Sequence, residues 1–87
     1  MYKIAETDTY KRNIKKTELK KFVKKINDHI YPILKENPYF GPNIKKLKGD
    51  LSEIYRYRIG SFRLFYMIME SEKRIIILSL QNRKDAY

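Results

Sequence analysis

The chain has 87 residues, 20 Lys/Arg against 10 Asp/Glu for a net charge of +10, 43% hydrophobic residues and no cysteine. That is enough for one domain burying roughly 60–65% of its unfolded surface; it excludes a disordered chain, a disulfide framework and any thiolate metal site. So strong a positive balance favours polyanions such as RNA, DNA, an acidic membrane or an acidic protein, the plain alternative being a solvated basic surface.

No apolar run reaches the roughly 18–20 residues needed to cross a bilayer, and "MYKIAETDTYKRNIKK" has no signal-like apolar stretch. The expectation is a single cytoplasmic domain over residues 1–87 with no membrane partner.

Residues 2–6 alternate weakly and suit a short first strand. Thr7, Asp8 and Thr9 are all capable helix caps, and a short helix over about 8–16 follows, with Tyr10 and Ile14 on one face. Thr17 is placed to cap a second, longer helix. Its apolar stripe is Leu19, Phe22, Val23, Ile26, Ile30, Ile33 and Leu34, and Lys20, Lys21, Lys24 and Lys25 lie on the other side. Pro32 falls inside the stripe, so the last turn is kinked or restarted there. "ENPYFGPNIKKLKGD" reads as a loop, with Ile44 and Leu47 as its anchors.

Three strands follow, over 54–59, 62–69 and 74–80, joined at Gly60-Ser61 and at "ESEK" as an antiparallel meander. "RIIILSL" suits a central strand covered on both faces. The predicted fold is α+β in the order β-α-α-β-β-β. Two N-terminal helices cover one face of a small, largely antiparallel sheet and the other face stays open.

Side chains alternate along a strand. Arg56 and Arg58 therefore share one face, and Tyr55, Tyr57 and Ile59 lie under the helices. Phe62, Leu64, Tyr66 and Ile68 form the apolar set of the next strand, while Arg63 and Phe65 point the opposite way. In the last strand Ile76, Leu78 and Leu80 share one face, and Ile75, Ile77, Ser79 and Gln81 the other. The open face then gathers Arg56, Arg58, Arg63, Phe65, Ser79 and Gln81, with Arg83 just beyond. The arginine fork matches phosphate and an aromatic ring can stack on a base, so this grouping points to nucleic acid. A solvated face whose charges discourage edge aggregation is the plain alternative.

"LKG", then "YRYRIGSFRLFYMI", then an apolar strand and "NRKDAY" together resemble the RelE/ParE superfamily of toxins from bacterial and archaeal toxin–antitoxin pairs. The similarity runs along nearly the whole chain and is densest from Leu47 to Tyr87. It implies a RelE-like fold and a cognate antitoxin partner. In the RelE branch it further implies a ribosome-dependent endoribonuclease that cuts mRNA in the ribosomal A site. The ParE branch shares the fold but poisons DNA gyrase.

By this resemblance Arg56 and Arg58 correspond to the alternating basic pair before the glycine turn. Arg63 corresponds to the arginine of the following strand, Arg83 to a later arginine and Tyr87 to a terminal tyrosine. These five are the candidate catalytic residues, and Phe65, Ser79, Gln81 and Asn82 are the candidate RNA-binding ones. Two departures bear on chemistry: Asn82 stands where many relatives carry histidine, and the alternating pair is arginine rather than lysine. Metal-free RNA cleavage uses the 2′-hydroxyl as nucleophile, and it needs a base, positive charge at the phosphate and a proton for the leaving oxygen. Arg56, Arg63 and Arg83 supply charge and Tyr87 stacks on a base or assists proton transfer, whereas arginine is a poor base. His29 falls on the long helix, away from this face. No cofactor or metal is expected. A basic nucleic-acid-binding module without toxicity stays open, since eight Lys/Arg lie between Lys11 and Lys25.

Overall fold

A computed structural model describes residues 1–48 and 53–82. Strand β1 (Lys3–Glu6) leads into helix α1 (Asp8–Asn13). A segmented helical arm follows: α2 (Thr17–Lys20), α3 (Val23–Lys25), a π-helical turn (Ile26–Ile30) and α4 (Tyr31–Glu36). Then come β2 (Ile44–Lys46), β3 (Ile54–Ile59), β4 (Phe62–Met69) and β5 (Arg74–Asn82). Among the described residues the sheet has five strands in the order β1-β5-β4-β3-β2, of which only β1 and β5 pair in parallel.

The expected meander is present, and so is the helix layer on one sheet face. Tyr10, Leu19, Ile26, Ile30 and Leu34 pack there with Tyr57, Leu64, Tyr66, Ile75 and Ile77 as one buried cluster. Two expectations change. The second helix is not one α-helix but this segmented arm, with α1 short beside it. The stretch taken as a loop also contains β2, which pairs antiparallel with β3. Three residues behind Gly41 and Pro42 are too few to show a period.

The broken helix has a local cause. Pro32 has no N–H to give the carbonyl four residues back. Just before it the turn widens, and the Tyr31 N–H reaches the Ile26 carbonyl. The wider turn keeps Ile26, Ile30 and Leu34 in line, buries Tyr31 and leaves Ile33 44% exposed, although Ile33 belonged to the expected stripe. Thr17 is the first residue of α2 rather than its cap; the N-cap position is Lys16, with no side-chain bond. Thr7 does cap α1, its hydroxyl accepting the Tyr10 N–H at 3.1 Å.

A bulge in β5 decides which residues face the helices. Phe65 pairs with Ser79 but Tyr66 pairs with Ile77, so Leu78 is an extra residue. The alternation changes phase there. Ile75 and Ile77 join Leu80 in the core, whereas strict alternation had put them on the arginine side. Ser79 and Gln81 stay level with Phe65 and Arg63. The backbone freed by the bulge is satisfied from the N-terminal segment. Thr7 Oγ1 lies 2.8 Å from the Ile77 carbonyl and 3.0 Å from that of Leu78, and the Leu80 N–H donates to Asn13 Oδ1 at 3.0 Å.

Candidate nucleic-acid interface

The pleat and the hairpin register build the site. Gly60, with a φ of 59°, opens the two-residue turn, so Ile59 pairs with Phe62 and Arg58 directly with Arg63. Across β2, β3, β4 and β5 this gives one row of Lys45, Arg56, Phe65 and Ser79 and a second of Arg58, Arg63 and Gln81. The structure thus brings Arg56, Arg58 and Arg63 together on the face turned away from the helices. Like charges placed directly opposite each other across two strands destabilise a sheet, so packing gives no reason for the Arg58–Arg63 pair.

Arg56 is half-buried and its direction is fixed, since Nη1 donates to the Asn43 carbonyl at 2.7 Å. The same carbonyl accepts the Arg58 N–H at 2.9 Å. Arg63 is half-buried and Arg58 exposed. Among the described residues, no carboxylate forms an ion pair with Arg58 or Arg63. A cleft of about 210 Å³ opens beside them, lined by Lys45, Lys46, Leu47, Lys48, Arg56 and Arg63. Among the described residues, five cations and no acid line a space suited to a phosphate group.

Two expected contact residues are not open to solvent. Phe65 and Ser79 are each 7% exposed. They form the floor of the face, so Phe65 is not a free stacking platform. The Gln81 amide is half-buried and its Nε2 donates to Ser79 Oγ at 3.2 Å. Asn82 is half-buried opposite Phe62 at the end of β5. Arg83 and Tyr87 lie outside the described residues. His29 lies beside Lys21, Lys24 and Lys25 on the helical arm. Glu53 lines a different cleft with Tyr39 and Tyr55.

Sequence reasoning missed Lys45, Lys46, Lys48 and the Asn43 carbonyl. The run "IKKLKG" carried the signal, but assigning it to a loop removed the reason to give it a face.

Residues 3–87 match the family model for the ParE toxin of the type II toxin–antitoxin system parDE. A protein of Methanocaldococcus jannaschii named as a RelE1 toxin is 37% identical over 78 residues, which is 87% of this chain and 80% of that protein. The YoeB–YefM complex of Staphylococcus aureus contains a chain with 27% identity and a TM-score of 0.71, the alignment covering 93% of this chain and 95% of that one. For a chain of the RelBE2 toxin–antitoxin complex of Mycobacterium tuberculosis the values are 23% and 0.77, over 94% and 98%, a likeness of fold. Among the described residues no helix is long and apolar enough to cross a membrane. The chain belongs to the ParE toxin family of type II toxin–antitoxin systems, within the RelE/ParE superfamily.

Proposed function

We propose that this toxin is a ribosome-dependent endoribonuclease that cuts mRNA in the cytoplasm, and that a cognate antitoxin restrains it by covering the arginine face or displacing the terminal segment. The observation that carries the reading is the cluster of Arg56, Arg58 and Arg63 on one sheet face beside a cleft lined by cations. The identity to a RelE-named protein supports the same branch.

In this mechanism the 2′-oxygen attacks the adjacent phosphorus and gives up its proton. The P–O5′ bond breaks, a 2′,3′-cyclic phosphate forms, and the 5′-oxygen takes a proton. Arg56 and Arg63, with Arg83, stabilise the charge on the pentavalent phosphate, and Arg58 holds a neighbouring phosphate. Tyr87 stacks on a base or assists proton transfer. Arginine stays protonated and is a poor base, so much of the rate comes from orientation. A substrate held in line gains several kcal/mol from geometry alone, and the ribosome supplies that geometry.

A second reading, a gyrase-directed toxin without nuclease activity, is favoured by the ParE family match and by the lack of a histidine at Asn82 and of lysines at positions 56 and 58, while the arginine set argues against it. Expression from a tight promoter separates the two. Codon-phased 5′ ends in translated messages support RNA cleavage, and intact mRNA with gyrase-linked DNA damage supports the other.

A further inference from the structure

We propose that a second cleft, at the end of the sheet beside the arginine face, is a binding site for a guanine base of the bound RNA. The inference rests on the RNA reading above and adds a base preference to it. The cleft holds about 260 Å³, and its walls include Asn13, Lys16, Glu18, Leu19, Phe62 and Gln81. It adjoins the arginine rows through Gln81, which pairs with Arg63.

The amide groups are oriented by bonds already made. Asn13 Oδ1 accepts the Leu80 N–H at 3.0 Å, so the group Asn13 has left to offer is its NH2. Gln81 Nε2 donates to Ser79 Oγ, so its carbonyl oxygen is the free acceptor. Lys16 adds a cationic donor and Glu18 a carboxylate, both exposed at the rim.

Asn13, Lys16, Glu18 and Gln81 offer donors and acceptors on one small cleft whose lining also includes Leu80 and Asn82. Guanine presents adjacent N1–H and N2–H donors, which a carboxylate accepts as a pair. Its O6 and N7 are acceptors, which lysine and amide N–H groups satisfy. Adenine, cytosine and uracil lack the paired donors. Leu19 and the half-buried Phe62 supply the apolar wall against which a base packs. Phe62 is itself braced, its ring 4.9 Å from that of Phe22.

The test uses the full chain and fluorescein-labelled 2′-O-methyl hexamers, which have no free 2′-hydroxyl and cannot be cut by the proposed route. Anisotropy titration compares all-U with U-hexamers carrying a single G, A or C. The expected result is about tenfold tighter binding with G, the discrimination of one good bidentate contact. Glu18→Gln is expected to reduce that preference below about threefold, while affinity for the all-U hexamer holds or rises because a negative charge is gone. Equal binding of all four hexamers overturns the guanine site and leaves the arginine face standing. Absence of binding to any hexamer overturns the guanine site, while cleavage on the ribosome is read separately from mapped mRNA 5′ ends. If Glu18→Gln weakens every hexamer alike, its role is structural and the assignment fails.

Discussion

Arg58 and Arg63 sit directly opposite each other, and two guanidinium groups there cost the sheet stability. Replacing one is therefore expected to separate function from folding. Arg63→Ala should abolish RNA cleavage and toxicity while changing stability by less than about 0.5 kcal/mol, as for an ordinary surface substitution. Toxicity lost together with the cooperative unfolding transition makes Arg63 structural instead. Arg58→Gln should be neutral or raise the melting temperature by a few degrees, since relieving a like-charge pair is worth about 0.2–1 kcal/mol. Both arginines were legible from period two alone, because each strand shows four or more alternating positions. Phe65 was legible only as to side. It is 7% exposed and lies between Arg56 and Ser79 on the neighbouring strands, a placement its own strand does not encode.

The bulge in β5 connects strand, cap and site. Thr7 follows β1, caps α1 and meets the carbonyls of Ile77 and Leu78. Thr7→Val should cost about 1–2 kcal/mol, combining a lost cap with an unsatisfied partner. Urea denaturation reads that loss. The same variant should weaken RNA binding, since the phase of Ser79 and Gln81 follows from the bulge; unchanged affinity contradicts that link. "RIIILSL" concealed this feature, because isoleucine and leucine fill both phases of the alternation and a change of phase leaves no mark. The opposite holds for β3, where "YRYRI" alternates cleanly and its facing was legible from the residues. The helical arm was legible as an amphipathic segment ending near Pro32. Its widened turn was not, since Ile33 and Tyr31 exchange places only once the turn exists.

Across the whole molecule, charge is distributed unevenly. One acidic group is engaged away from the arginine face: Glu70 accepts from Tyr2 and Tyr39, each at 2.6 Å, and from Lys73. This clasp ties the N-terminal strand and the loop after the helical arm to the β4–β5 turn. The bond from Lys73 above all, then those from the two tyrosines, lowers the Glu70 carboxyl to a pKa of about 2. An unfolded glutamate titrates near 4.3, so the clasp contributes stability above that pH, and the contribution is lost as pH falls toward 2. Glu70→Gln should therefore be less stable than the parent at pH 7 and indistinguishable from it by about pH 2, as urea titrations at both pH values will show. Tyr31 and Tyr66 act at the other end. Burial raises both phenols above their ordinary value, so their contribution is intact below about pH 10 and declines as pH rises further.

The net charge of +10 fitted a polyanionic partner or a solvated basic surface, and it could not assign the charge to a face. The paired strands place three arginines and Lys45 on one side. The most direct measurement maps mRNA 5′ ends by primer extension after expressing the wild-type chain or a folded Arg63→Ala variant. The account predicts codon-phased ends in translated messages with the wild type and none with the variant. Growth arrest with uncut messages, or cutting that persists in the variant, contradicts it.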